Sequence, residues 1–111
     1  MVTSSPHKYL LFLVTGPENN MRELAKRLVE EKLAACVNVI NGIKSIYWWE
    51  NKINEDTESL LVIKTESSKA QDLIRFVRSN HPYKVPEVIG LEISVGNPDY
   101  LSWILESLTS K

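Results

Sequence analysis

The sequence is short of the residues that build metal and redox centres. Its 111 residues contain one cysteine, Cys36, and two histidines, His7 and His81. A lone thiol closes no internal disulfide, and no CxxC, HxxxH or HExxH spacing gathers ligands, so a metal site preformed within one chain is not expected. P-loop, GxGxxG and GxSxG motifs are absent too, which removes the common phosphate cradles and activated nucleophiles and points to binding or assembly, not to an enzyme. Charge of one sign is also lacking. The net charge is −1 and the pI about 6.1, so no field concentrates nucleic acid or anionic lipid. Long apolar runs are missing as well: Tyr9–Val14 is too short to span a membrane and has no basic flank or cleavage site of a signal peptide. The expectation is a cytoplasmic protein with neither nucleic acid nor membrane as partner.

What is present is ordinary soluble composition, 43% hydrophobic and 24% charged, with too few glycines and prolines for a disordered chain. The length suits one domain with a real core. Residues 1–7 are polar and without periodicity and read as a flexible leader in which His7 is solvated; residues 8–111 read as the domain. Tyr9–Val14, closed by Thr15-Gly16-Pro17, reads as a central strand buried on both faces. Met21, Leu24, Ala25, Leu28 and Val29 recur at helical spacing. From Cys36 the pattern is that of an extended chain up to about Glu50, with Gly42 marking a bend or bulge. A tight turn at Asn51-Lys52 returns the chain into a strand containing Leu60–Ile63. Ser68 and Gln71 have capping-box spacing ahead of a helix with Ala70, Leu73, Ile74 and Val77 inward. Ile89, Leu91, Ile93 and Val95 then alternate with polar residues and glycine as in a half-buried strand, and Asn97-Pro98 opens a last helix with Leu101, Ile104, Leu105 and Leu108 inward. The order βαββαβ plus a C-terminal helix is the ferredoxin-like α+β arrangement of one antiparallel sheet.

The hairpin is too long for such a domain. Val37–Glu50 is fourteen residues, roughly 45 Å at ~3.3 Å each, against a globule some 34 Å across for a radius of gyration of about 13 Å. Its tip carries Tyr47, Trp48 and Trp49, which alternate between both faces of the ribbon. A long apolar edge of this kind calls for closed oligomerisation, unless Gly42 folds the strand back over the core.

Leu33-Ala34-Ala35-Cys36-Val37-Asn38, Tyr47-Trp48-Trp49-Glu50, Ile63-Lys64-Thr65, His81-Pro82-Tyr83-x-x-Pro86-Glu87 and Tyr100-Leu101-x-Trp103 together resemble the divalent-cation tolerance protein CutA family, over residues 9 to 105. The resemblance implies ferredoxin-like subunits assembled as a homotrimer through their hairpins, similar in outline to PII-type signalling proteins. It links bacterial members to tolerance of copper and other divalent metals, and mammalian members to anchoring of acetylcholinesterase. A copper site proposed in the family uses a cysteine at the end of the first strand and two adjacent histidines before Pro-Tyr. Here Val14 and Asn80-His81 stand at those places, so His81 alone is left as a metal ligand for Cu2+. Family members also commonly have Gly at the position of Asn51 and Pro at that of Glu92.

His81 is either that ligand or a helix-terminal histidine bonded to a carbonyl. Tyr83 and Lys84 offer a phenol and a charge to a cleft, or clamp a subunit boundary. Cys36 is a small buried hydrophobe or a cleft residue. The resemblance places Glu58 and Lys64, six apart on one strand face, with Tyr47 and Trp49 in an intersubunit cleft for a metal or small ligand; as a solvated pair they would contribute little. The alternative function is a non-catalytic anchoring trimer that binds another protein.

Overall fold

A computed structural model describes residues 8–109; the expected leader and its His7 lie outside them. Four strands, β1 (Tyr9–Gly16), β2 (Cys36–Trp49), β3 (Lys52–Glu66) and β4 (Val88–Glu92), alternate with α1 (Glu18–Glu30) and α2 (Ala70–Asn80), and α3 (Pro98–Thr109) follows. The strands form one antiparallel sheet in the order β2-β3-β1-β4, the ferredoxin-like topology. The core lies between one sheet face and the first two helices: Phe12 and Val14 of β1 and Leu61 and Ile63 of β3 meet Met21, Leu24, Ala25 and Leu28 of α1 and Leu73 and Val77 of α2. α3 packs against β3 from the other side, where its Tyr100 meets Cys36, and buries Ile104 and Leu108 outside that core.

Several expectations are corrected. β1 is not buried on both faces: Phe12 and Val14 are buried, whereas Leu11 and Leu13 are only half-covered. β4 stops at Glu92, and its apolar alternates turn away from the helices. Ile89 is 52% and Leu91 51% exposed, while the Phe12 ring lies against Gly90 on the core side. Val29, expected inward, is exposed. Ser68 does not cap α2 by side chain; a 3-10 turn, Ser67–Lys69, precedes the helix, and the Glu66 carboxylate accepts from the Ser68 N–H. The hairpin turn is Glu50-Asn51, not Asn51-Lys52: both residues have positive φ (52° and 61°), and Trp49 pairs with Lys52 across them. This is the two-residue turn whose twist matches the strands.

The hairpin overhangs as expected. The molecule measures 51 × 32 × 23 Å. A bulge lies between Ile40, paired with Leu60, and Ile43, paired with Glu58, so β2 uses one residue more than β3. Gly42 sits there at φ +76°, a conformation costly for a side-chain-bearing residue. The bulge is pinned from both sides: the Gly42 N–H donates to Glu18 Oε2 (2.7 Å) and the Ser59 hydroxyl to Asn41 Oδ1 (2.6 Å).

Candidate functional site

Past the bulge, the odd-numbered residues of β2 share a face with Glu58. Ser45 pairs with Asp56 and Tyr47 with Asn54, so Tyr47 and Trp49 project on the side of the sheet that α1 and α2 do not cover. The loop after α2 brings Tyr83, Lys84 and Val85 against them. Together with Thr15 and Glu87 they line an open cleft of about 650 Å³, within the range of small-molecule sites. Glu58 forms its floor and is buried; the Tyr83 hydroxyl donates to Glu58 Oε2 at 2.6 Å. The Tyr47 hydroxyl donates to Asp56 Oδ2, and Thr15 Oγ1 donates to Glu87 Oε1 at 3.2 Å, closing one side.

These bonds and the burial shift the phenols in one direction. Desolvation, then the hydrogen bond and charge of Glu58, push Tyr83 well above the ordinary phenol range. The Asp56 hydrogen bond, with desolvation and charge following, raises Tyr47. A phenolate in this cleft would face carboxylates, so both stay protonated donors at neutral pH.

The candidates do not all meet. Tyr47, Trp49, Glu58, Tyr83 and Lys84 line the cleft. Lys64 does not; it is roughly 20 Å along β3 from Glu58 at ~3.3 Å per residue, where its ammonium donates to Asn38 Oδ1. Cys36 is its cross-strand partner, half-buried beside Tyr100. His81 lies behind the cleft on the core side. A Cβ on Gly16 would come within 2.7 Å of its Nε2, so only glycine lets the imidazole pack there. His81 Nε2–H donates to the Thr15 carbonyl (2.7 Å), and Nδ1 accepts from the Tyr83 N–H (3.0 Å), which fixes the neutral tautomer. Sequence reasoning missed Thr15, Ser45, Asp56 and Glu87. Asp56 was within reach, two residues from Glu58 and so on its face.

The described residues do not fit a metal centre within one chain. Among the described residues no group of three or more His, Cys, Asp or Glu side chains is placed to hold an ion, and both nitrogens of His81 are bonded. Among them, too, no helix is long and apolar enough to cross a membrane.

Comparison with known proteins adds four findings. A family model described as CutA1 divalent ion tolerance protein matches residues 10–107. The chain is 58% identical to a protein CutA homolog of Xenopus laevis over 92 residues, covering 82% of this chain and 61% of that protein. It is 46% identical over 106 residues to the chloroplastic protein CutA 1 of Oryza sativa, covering 95% of this chain and 60% of that protein. It thus spans about 60% of the length of these curated relatives. The crystal structure of CutA1 from Oryza sativa superposes with a TM-score of 0.89 at 45% identity, covering 94% of this chain and 96% of that one.

Proposed function

Because the chain belongs to the CutA1 divalent ion tolerance family, we propose that it is a non-catalytic homotrimer serving tolerance of divalent metal ions, and that it binds a small ligand in the cleft below the hairpin, at a subunit boundary. One observation carries this reading: a single chain leaves both faces of its hairpin bare. Trp49 is 57% exposed on the cleft face, and Trp48 72% and Ile53 66% on the opposite face. Exposed Ile89 and half-covered Leu13 and Val62 continue the apolar surface across the sheet. Apolar surface of this extent beside long strand edges supports a closed assembly of like chains.

Copper, in this reading, is a weak ligand. To offer Nδ1 to a metal, His81 would have to release the Tyr83 N–H, and no second histidine stands beside it. Affinity is expected to be micromolar or weaker, roughly −8 kcal/mol or less favourable. Size-exclusion chromatography with light scattering at low micromolar concentration should give three times the 12.7 kDa chain mass; a monomer would overturn the assembly. Calorimetric copper titration of wild type and His81→Ala tests the metal reading, and a nanomolar site unchanged in the variant would reject it.

A further inference from the structure

Glu58 is buried, 5% exposed as a residue, and among the described residues the one hydrogen-bond partner of its carboxylate is the neutral Tyr83 hydroxyl. Buried charges are as a rule paired with an opposite charge, and a phenol supplies none. Lys84 lines the same cleft but forms no ion pair with Glu58 or Glu87 among the described residues. Glu87 on the rim and Asp56 behind Tyr47 add further negative charge. Among the described residues Glu58 Oε1 accepts no hydrogen bond. Yet no fully buried side-chain oxygen lacks a partner among the described residues, so this atom keeps some exposure, and the cleft is the space that Glu58 lines.

We propose that the cleft takes an organic cation, with a primary ammonium or guanidinium seated on Glu58 and an apolar body held between Tyr47, Trp49 and Tyr83. An ammonium donates to the free carboxylate oxygen as a charge-assisted hydrogen bond, and tyrosine and tryptophan faces attract cations while walling an apolar stem. A bare divalent ion fits less well, since it needs several oxygen or nitrogen donors and the described residues gather no such set. An anion would face two carboxylates, Glu58 and Glu87, with a third, Asp56, bonded to the lining Tyr47, and one lysine to offset them. The inference rests on the reading above in one respect, that the cleft stays accessible in the assembled protein.

The test is calorimetric titration of the full chain with phenethylamine, its neutral isostere 2-phenylethanol and its charge-reversed analogue phenylacetate, at fixed salt and neutral pH, with light scattering on the same samples. The amine should bind at least about ten-fold tighter than the alcohol, the scale of one hydrogen bond to a charged group. Phenylacetate should bind least. Glu58→Gln should bring the amine to the alcohol's affinity and leave the alcohol unchanged, while Glu87→Gln, at the rim, should cost the amine far less. The ligand series on wild type decides the matter even should a variant fail to fold. Equal binding of amine and alcohol, preference for phenylacetate, or an amine unaffected by Glu58→Gln each overturns the proposal. A trimer that binds none of the three overturns it too and leaves the assembly standing, whereas a monomer overturns the assembly whatever the titration gives.

Discussion

The imidazole of His81 is a strut between two backbone groups, the Thr15 carbonyl and the Tyr83 N–H, and so sets the position from which the Tyr83 hydroxyl reaches Glu58. His81→Ala leaves both groups without their partner, and urea unfolding in metal-free buffer should register a loss of about 1–3 kcal/mol. A metal ligand with no such role would leave the metal-free protein unchanged. The raised phenols of Tyr83, Tyr47 and Tyr100 give a second prediction. An unfolded chain ionises these groups at the ordinary value of 10.0, below their folded values. Above that pH the unfolded state therefore binds fewer protons than the folded one. Their contribution to stability is complete below pH 10 and is lost as pH rises through the folded values. Urea midpoints should fall across that alkaline range, with tyrosinate absorbance lagging behind that of the unfolded chain; coincident titrations would refute the shifts. The sequence disclosed the identities of these residues better than their places. Spacing along β3 put Glu58 and Lys64 on one face but carried no distance limit, so nothing in it opposed the resemblance that set the middle and the end of a long strand in one cleft.

At the scale of the element, the bulge and the turn divide the hairpin's geometry between them. Gly42 has open space where a Cβ would stand, so Gly42→Ala tests backbone strain alone: it should destabilise by about 1 kcal/mol. Thermal melts of the variant should show that loss, and an unchanged midpoint would mean the bulge relaxes without positive φ. Element order, the overhang and the bulge near Gly42 were all legible from periodicity and punctuation. The turn was not, because Glu50 shows no preference for the left-handed region it occupies at φ 52°, and Asn51 next to it drew the turn one residue too far. β4 misled for another reason. Alternation marks two faces but does not say which of them the helices cover, and here the Phe12 ring against Gly90 turns Ile89 and Leu91 outward.

For the whole molecule, the long axis of 51 Å and the exposed Tyr47, Trp48 and Trp49 are two aspects of one arrangement, and the proposed homotrimer would account for both. Trp48→Ala, on the hairpin face away from the cleft, should weaken the proposed trimer by about 3 kcal/mol or more, the scale of a buried aromatic anchor, read from the concentration at which light scattering shows dissociation. A change below about 0.5 kcal/mol is what a residue left exposed would give. The bulge has a last consequence, for how this chain tolerates gaining and losing residues. Because β2 carries one residue beyond what its ladder with β3 requires, deleting Asn41 would straighten the strand and leave Ile43 opposite Glu58 and Tyr47 facing as before. One residue added between Ile43 and Trp49 finds no such slack and must either form a second bulge or turn Tyr47 and Trp49 to the opposite side. The hairpin can therefore be shortened by one residue but not lengthened by one. Deletion would alter the direction in which the tip points, because the extra residue sets the local bend, while register stays in the keeping of the turn at Glu50-Asn51.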